Sequence, residues 1–230
     1  MHPLDGARRR IERADKHLQD FIGEVEAYAL SEANNIAVQY DDVRDQPNFI
    51  LAPKTPLPPV LSLIVSDCIH NLRAALDYVV YELARKDSGL SDPDGTLFPI
   101  AATEDKFIEV RKARLNGKGP LRYLSAAHVD AIEAYQPYKG VQWTETLRDI
   151  SNPDKHRKLS QPRSGRRVHL GGPGRTRETF KGVGPGRSDM ELERRVAVRI
   201  FFRDRRPVIE TLDVMQREVA SLIDFFDGEF

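Results

Sequence analysis

One cysteine, Cys68, occurs in 230 residues. A lone thiol excludes an intrachain disulfide and any cysteine-based zinc site, so Cys68, on the apolar side of a helical pattern, reads as a small buried hydrophobe. Long apolar runs are also missing. No stretch approaches about 18 consecutive apolar residues, and the first residues, MHPLDGARRRIERADKHL, are charged. The expectation is a chain with no secretory signal and no spanning helix, with a cytoplasmic location as the default. Net charge is missing too: 35 Lys and Arg balance 35 Asp and Glu. Global charge therefore predicts attraction neither to nucleic acid nor to membranes, and only a local asymmetry can argue for a charged partner. HExxH, CxxC and Walker motifs are absent, and the six histidines are scattered. Asp67, His70 and Asp77 with His156 form the one conceivable ligand set, so neither a metal nor a cofactor is expected. GGPG and GVGPG lack the strand-glycine-helix context of a dinucleotide fingerprint and read as turns. Ser151 lacks the context of a nucleophile.

What is present is a chain with 40% hydrophobic residues, enough for a real core. Its longest helical pattern is LSLIVSDCIHNLRAALDYVVYELARK, residues 61–86. At about 100° per residue, Val65, Ile69, Leu72, Leu76, Val79 and Leu83 fall on one apolar side. The opposite side carries Asp67, His70, Arg73 and Asp77 at spacings of three or four, which lets neighbours touch. Ala74, Tyr78, Tyr81 and Ala84 replace the Lys and Glu of a solvated surface there, so that side is expected to be half-buried.

Other segments read as elements packed against this helix. Ile11, Ala14, Leu18, Phe21, Ile22, Val25 and Ala29 mark a first amphipathic helix over 6–30. Arg8, Arg9 and Arg10 occupy its first turn, where the helix dipole disfavours cations, so they are either solvated or used on a partner. Residues 34–53 change to a period of two around turn residues and read as a hairpin, and KTPLPP is a stiff connector. After the central helix come a turn-rich loop and the apolar anchor 97–100, LFPI. Thr103 is placed to cap a helix over 103–113, and Ser125 one carrying Val129, Ile132 and Tyr135. A short helix over 144–150 should stop before Asn152-Pro153. Val196, Val198, Ile200 and Phe202 alternate with their neighbours as a strand, with Val208 and Ile209 opening its partner. Leu212, Met215, Val219, Leu222, Ile223 and Phe226 mark a closing amphipathic helix over 212–227. The fold expected is a single α+β domain over 1–230. It combines a helical bundle over 6–30 and 60–158, a small and mostly antiparallel sheet from 34–53 and 166–210, and the closing helix laid against that sheet.

Two ionisable clusters could carry chemistry. The first is the polar side of the central helix. The second, Asp154-Lys155-His156-Arg157, puts carboxylate, ammonium, imidazole and guanidinium at consecutive positions. If they meet, they supply an acid, a base and cations for an oxyanion or a phosphorane. Between Lys155 and Arg187 ten Lys or Arg stand against the single Glu178. A basic loop of this sort can track a phosphate backbone, although it has no aromatic interleaving on which bases would stack.

The combination HNLRAALDYVVYELA (70–84), LFPI (97–100), YQPY (135–138) and NPDKHR (152–157), in this order, resembles a scattered bacterial family of proteins with no assigned activity. The likeness runs from about residue 8 to 157, and the pairing of HNLRxALD with DKHR is its specific part. It implies that the two clusters act as one unit and names no reaction. Arg148, Asp149 and His156 are also loosely similar to the motif of the HEPN helical ribonucleases. In that motif four to six residues separate the Arg and the His, whereas here seven intervene and Pro153 is expected to break the helix.

Two functional readings follow. The first is a metal-independent, RNA-directed nuclease or RNA-binding module. In it His70, Arg73, Asp77, Asp154 and His156 form the catalytic pocket, and Lys155, Arg157, Arg166 and Arg167 hold phosphate. The second is a non-catalytic interaction or scaffold protein in which the HNLRxALD and DKHR residues form a structural ion-pair network.

Overall fold

The structure, a computed structural model, describes residues 2–34, 36–41, 43–44, 46–51, 56–156, 163–170, 176–180 and 190–230. Side chains are described except at 32–34, 36–38, 40, 46–51, 152–156, 163–170, 176–180 and 190–197. In chain order the elements are α1 (Asp5–Asn34), β1 (Ile36–Asp41), β2 (Gln46–Leu51), α2 (Val60–Ser88), α3 (Glu104–Leu115), α4 (Ala126–Ala134), a 3-10 turn (Pro137–Lys139), α5 (Gln142–His156), β3 (Arg163–Leu170), β4 (Thr176–Phe180), β5 (Met190–Phe201) and α6 (Val208–Asp227). They fall into two compact units: Met1–Asp20, Ser62–Gln161 and Ile209–Phe230 form one, and Phe21–Leu61 with Pro162–Val208 the other.

The first unit is a helical bundle built on α2. Val65, Ile69, Leu72, Leu76, Val79 and Leu83 are all at most 2% exposed, so the apolar stripe is fully consumed by the core. Each such side chain contributes about 1.5–3 kcal/mol relative to an exposed one. Arg85 and Lys86 lie in the last turn, where cations complement the dipole. Gly89 follows in the left-handed region at φ 72°, and its N–H closes the helix onto the Arg85 carbonyl at 2.9 Å. The Cys68 thiol is buried in this unit, with Sγ 3.5 Å from the Ala14 carbonyl oxygen of α1.

Around α2 the shorter helices start where their caps dictate. Thr103 accepts the Lys106 N–H, and Ser125 accepts the His128 N–H at 3.2 Å. All six apolar positions of α6 named from the sequence are at most 1% exposed. That helix belongs to the same compact unit as α2. Tyr135 and His128 of the α4 segment meet its Phe225 and Phe226 edge-on, at ring centroids 6.0 and 6.4 Å apart. Arg8 pairs with Asp227, while Arg10 reaches Asn71 Oδ1 at 3.3 Å and lies over the Tyr78 ring. Two of the three early arginines are thus used inside the chain. Among the described residues no helix is long and apolar enough to cross a membrane.

In the second unit β1 and β2 pair antiparallel from Ile36 opposite Leu51 to Asp41 opposite Gln46. The Asp41 carboxylate accepts the N–H groups of Val43 and Arg44 at 3.0 and 3.1 Å, an Asx-type turn. β5 pairs antiparallel with β3 on one side and β4 on the other. The expectation that the early hairpin and the late strand share one small sheet is therefore corrected, because the strands form two separate ladders. Val208 also departs from expectation. It opens α6, and the turn before it is closed by a bridge between Phe201 and Pro207 and by the Phe202 N–H donating to the Arg206 carbonyl at 2.8 Å.

Pro153 does not end α5, whose backbone stays helical to His156. A proline so near a helix end forfeits a single ladder bond, to the carbonyl four residues back, and few residues follow it. Ser151 is buried, and its hydroxyl donates back to the Arg148 carbonyl at 3.2 Å.

Candidate functional site

α2 presents its polar residues in two different environments. Asp67 and His70 are exposed. One and two turns further on, Arg73 and Asp77 are 14% and 29% exposed, and both turn onto one residue of the strap that follows the helix. Asp77 Oδ1 accepts the Phe98 N–H at 2.9 Å, and Arg73 Nη2 donates to the Phe98 carbonyl at 3.1 Å. Arg73 Nη2 and Asp77 Oδ1 are 3.9 Å apart, an i,i+4 pair spanning a single peptide residue. The Phe98 ring is 1% exposed and belongs to the core.

The next residues of the strap are taken by Gln136, which is fully buried. Its Oε1 accepts the Ala101 N–H at 2.8 Å, and its Nε2 donates to the carbonyls of Pro99 at 3.0 Å and Ile132 at 3.1 Å. An irregular segment cannot satisfy its own backbone when it is buried, and these three side chains do so for it. HNLRAALD contributes Arg73 and Asp77, LFPI contributes Phe98 and Pro99, and YQPY contributes Gln136. Three of the four segments that carry the family resemblance thus meet at one strap.

Burial lowers the Arg73 pKa from the usual guanidinium range, with Asp77 opposing the shift. The group remains a cation at neutral pH. Among the described residues its Nε is buried without a hydrogen-bond partner. Arg73 is accordingly poorly placed to hold a substrate phosphate, since one of its outer nitrogens is spent on backbone and the guanidinium is mostly shielded.

The structure separates the candidates named from the sequence. Arg73 and Asp77 come together, and His70 faces solvent. Asp154, Lys155 and His156 lie in the last turn of α5 by backbone, and their side chains are outside the described residues, as is the whole of Arg157. Arg166 and Arg167 lie in β3, opposite Val198 and Ala197 of β5, again with side chains outside the described residues. Much of the basic segment over 155–187 is outside them too. Arg148 and His156 share one continuous helix but are about 12 Å apart along its axis and turned about 80° from one another. Arg148 itself is engaged by Asp149 at 2.8 Å and Glu145 at 3.5 Å.

Two groupings escaped the sequence. His128 is 7% exposed, with Nδ1 2.6 Å from Asp87 Oδ2 and Nε2 3.2 Å from Glu229 Oε2. Asp87 also accepts the Ser125 N–H at 2.6 Å, and Glu229 pairs with Lys86 at 3.1 Å. The end of α2, the start of α4 and the residues after α6 are tied together there. Hydrogen bonds from Lys86 and His128 hold the Glu229 carboxyl below its ordinary range. The signal was slight: a capping serine followed three positions later by a histidine. The second grouping is a cavity of about 550 Å³ whose aromatic walls are Tyr135, Trp143 and Phe225. The signal for it in the sequence is the aromatic density of YQPYKGVQW, residues 135–143. Among the described residues no three His, Cys, Asp or Glu side chains converge so as to hold a metal ion. Comparison with family models, curated proteins and solved structures finds no match to this chain.

Proposed function

We propose that this chain is a non-catalytic interaction or scaffold protein whose HNLRxALD residues serve the fold, and that the likeness to the bacterial family reflects a shared structural clamp. The observation that supports this reading is the engagement of Arg73 and Asp77 with the two backbone polar groups of Phe98. A guanidinium and a carboxylate arranged for acid-base or phosphate chemistry would face a cleft open to substrate, whereas these two are engaged with the backbone of Phe98, whose ring is buried. His70 is exposed, and an exposed imidazole is by itself a weak basis for catalysis.

The test sets stability against RNA chemistry. Arg73→Ala is expected to lower the melting temperature clearly. Wild-type protein is expected neither to bind generic single-stranded RNA with a salt-dependent affinity nor to cleave it at low ionic strength. RNA cleavage lost in His70→Ala or His156→Ala, with the melt unchanged, would overturn the scaffold reading and restore the nuclease.

A further inference from the structure

The cavity beside α4, α5 and α6 carries an inference independent of the scaffold reading. Tyr135 sits at the C-cap of α4, Trp143 in the first turn of α5 and Phe225 on the last turn of α6. Tyr135 meets Trp143 at a centroid distance of 6.4 Å and 61°, and Phe225 at 6.0 Å and 67°. Trp143 is 8% exposed, so it forms the inner wall of the space. Phe225 is 58% exposed although it belongs to an aromatic cluster, which leaves one wall open to solvent. The volume, about 550 Å³, falls within the range of about 300–1,000 Å³ usual for small-molecule pockets.

Charge decides what such a box would take. Of the residues lining it, only Glu218 is ionisable at neutral pH, and it is acidic. It is close enough to Tyr135 to add to the effect of burial in raising that phenol's pKa. The first turn of α5 borders the same space and brings a partial positive charge of about half an elementary charge. The full carboxylate of Glu218 outweighs it. Aromatic faces attract cations through their quadrupole, and most strongly when one of them is tryptophan.

We propose that Tyr135, Trp143, Phe225 and Glu218 form a binding site for an organic ammonium group, with the rings stacking on its alkyl shell and the carboxylate balancing its charge. A methylated ammonium suits the site better than a bare one. Its methyl groups fill apolar volume, and it needs no hydrogen-bond acceptors that the rings cannot supply.

Trp143 is the single tryptophan of the chain, so intrinsic fluorescence reports on this cavity directly. The full-length protein is titrated at constant ionic strength with choline, with tetramethylammonium, and with the neutral isostere of choline in which a tert-butyl group replaces trimethylammonium. The expected result is a saturable change with both ammonium compounds, with choline bound at least about tenfold more tightly than its isostere. Glu218→Gln and Phe225→Ala should each weaken choline binding by about 3- to 10-fold with melts close to wild type, since both side chains lie at the rim. A response to the isostere equal to that to choline would show a simple apolar cavity and overturn the proposal. So would the lack of any saturable response to either ammonium compound, or Glu218→Gln binding choline as well as wild type.

Discussion

Replacing Asp77 is the sharpest probe of the clamp, because its carboxylate does two separable things. It accepts the Phe98 N–H at 2.9 Å and faces the Arg73 guanidinium at 3.9 Å. Asp77→Ala removes both. A part-buried N–H left without an acceptor costs about 1–3 kcal/mol. The opposed charges at that separation interact by about 4 kcal/mol at an effective dielectric constant near 20, as a gross figure. Asp77 is 29% exposed, so solvent screens much of this, and removing the carboxylate recovers its own desolvation. About 1–2 kcal/mol then remains for the charge. The expected total for Asp77→Ala is about 2–5 kcal/mol, or about 4–20 °C in melting temperature for a chain of this length. Asp77→Asn keeps an acceptor oxygen and loses only the charge, so it should cost about half as much. Urea titration followed by Trp143 fluorescence, together with far-UV thermal melts, measures both variants, with Phe98→Ala as a reference at about 3–5 kcal/mol. If Asp77→Ala melts within about a degree of wild type, the strap is not held as described. Equal losses for Asn and Ala would assign the whole effect to charge and refute the role given to the hydrogen bond.

Further outcomes follow from other buried groups. Cys68 is buried, and burial with help from Asp15 pushes its thiol pKa up to about 12. A thiol reagent should leave it unmodified in native buffer and label it as denaturant unfolds the chain, so stoichiometric labelling within minutes under native conditions would contradict the burial. At Glu133 burial favours the neutral acid, but hydrogen bonds from Arg111 and Tyr138 outweigh it and hold the pKa below the ordinary 4.5. A depressed carboxylate contributes stability that is complete above its unfolded value and lost as pH falls through its folded one. Glu133→Gln should therefore lower stability at neutral pH, and its difference from wild type should shrink below about pH 4.5 in acid unfolding curves; a constant difference across that range would exclude the ion pair as its source. Gln216 is 7% exposed, and its Nε2 is buried with no hydrogen-bond partner among the described residues. Gln216→Met removes that unmet donor at similar volume and should raise stability by about 1 kcal/mol in a denaturant melt, whereas a loss would mean that the amide is satisfied.

Much of the helical unit was legible in the residue order. The apolar positions of α2 and α6 recur at helical spacing, and every one named from the sequence is buried, because an amphipathic stripe of that width has no stable alternative to a core. Thr103 and Ser125 announced their helices through a local bond from side chain to backbone, which requires nothing distant. The end of α5 was misread. A proline is a strong local signal, but it costs little where only a few helical residues follow it. Strand pairing was also misjudged, since period-two patterning marks strands and says nothing about which ladder each one joins.

The residue order by itself determined the long central helix, the two capped helices after it, the buried thiol and the absence of a global charge field. Those properties depend on composition and on neighbours within about four positions. Tertiary structure alone decided what the polar side of α2 is for. Arg73, Asp77, Phe98 and Gln136 are separated by up to 63 positions, and nothing local says that the first two and the last will hold the backbone of the strap. The same holds for Tyr135, Trp143, Glu218 and Phe225, whose cavity exists only because α6 returns to pack beside α4 and α5. Side-chain type sets what a group can do, and the packing of distant helices sets what it meets.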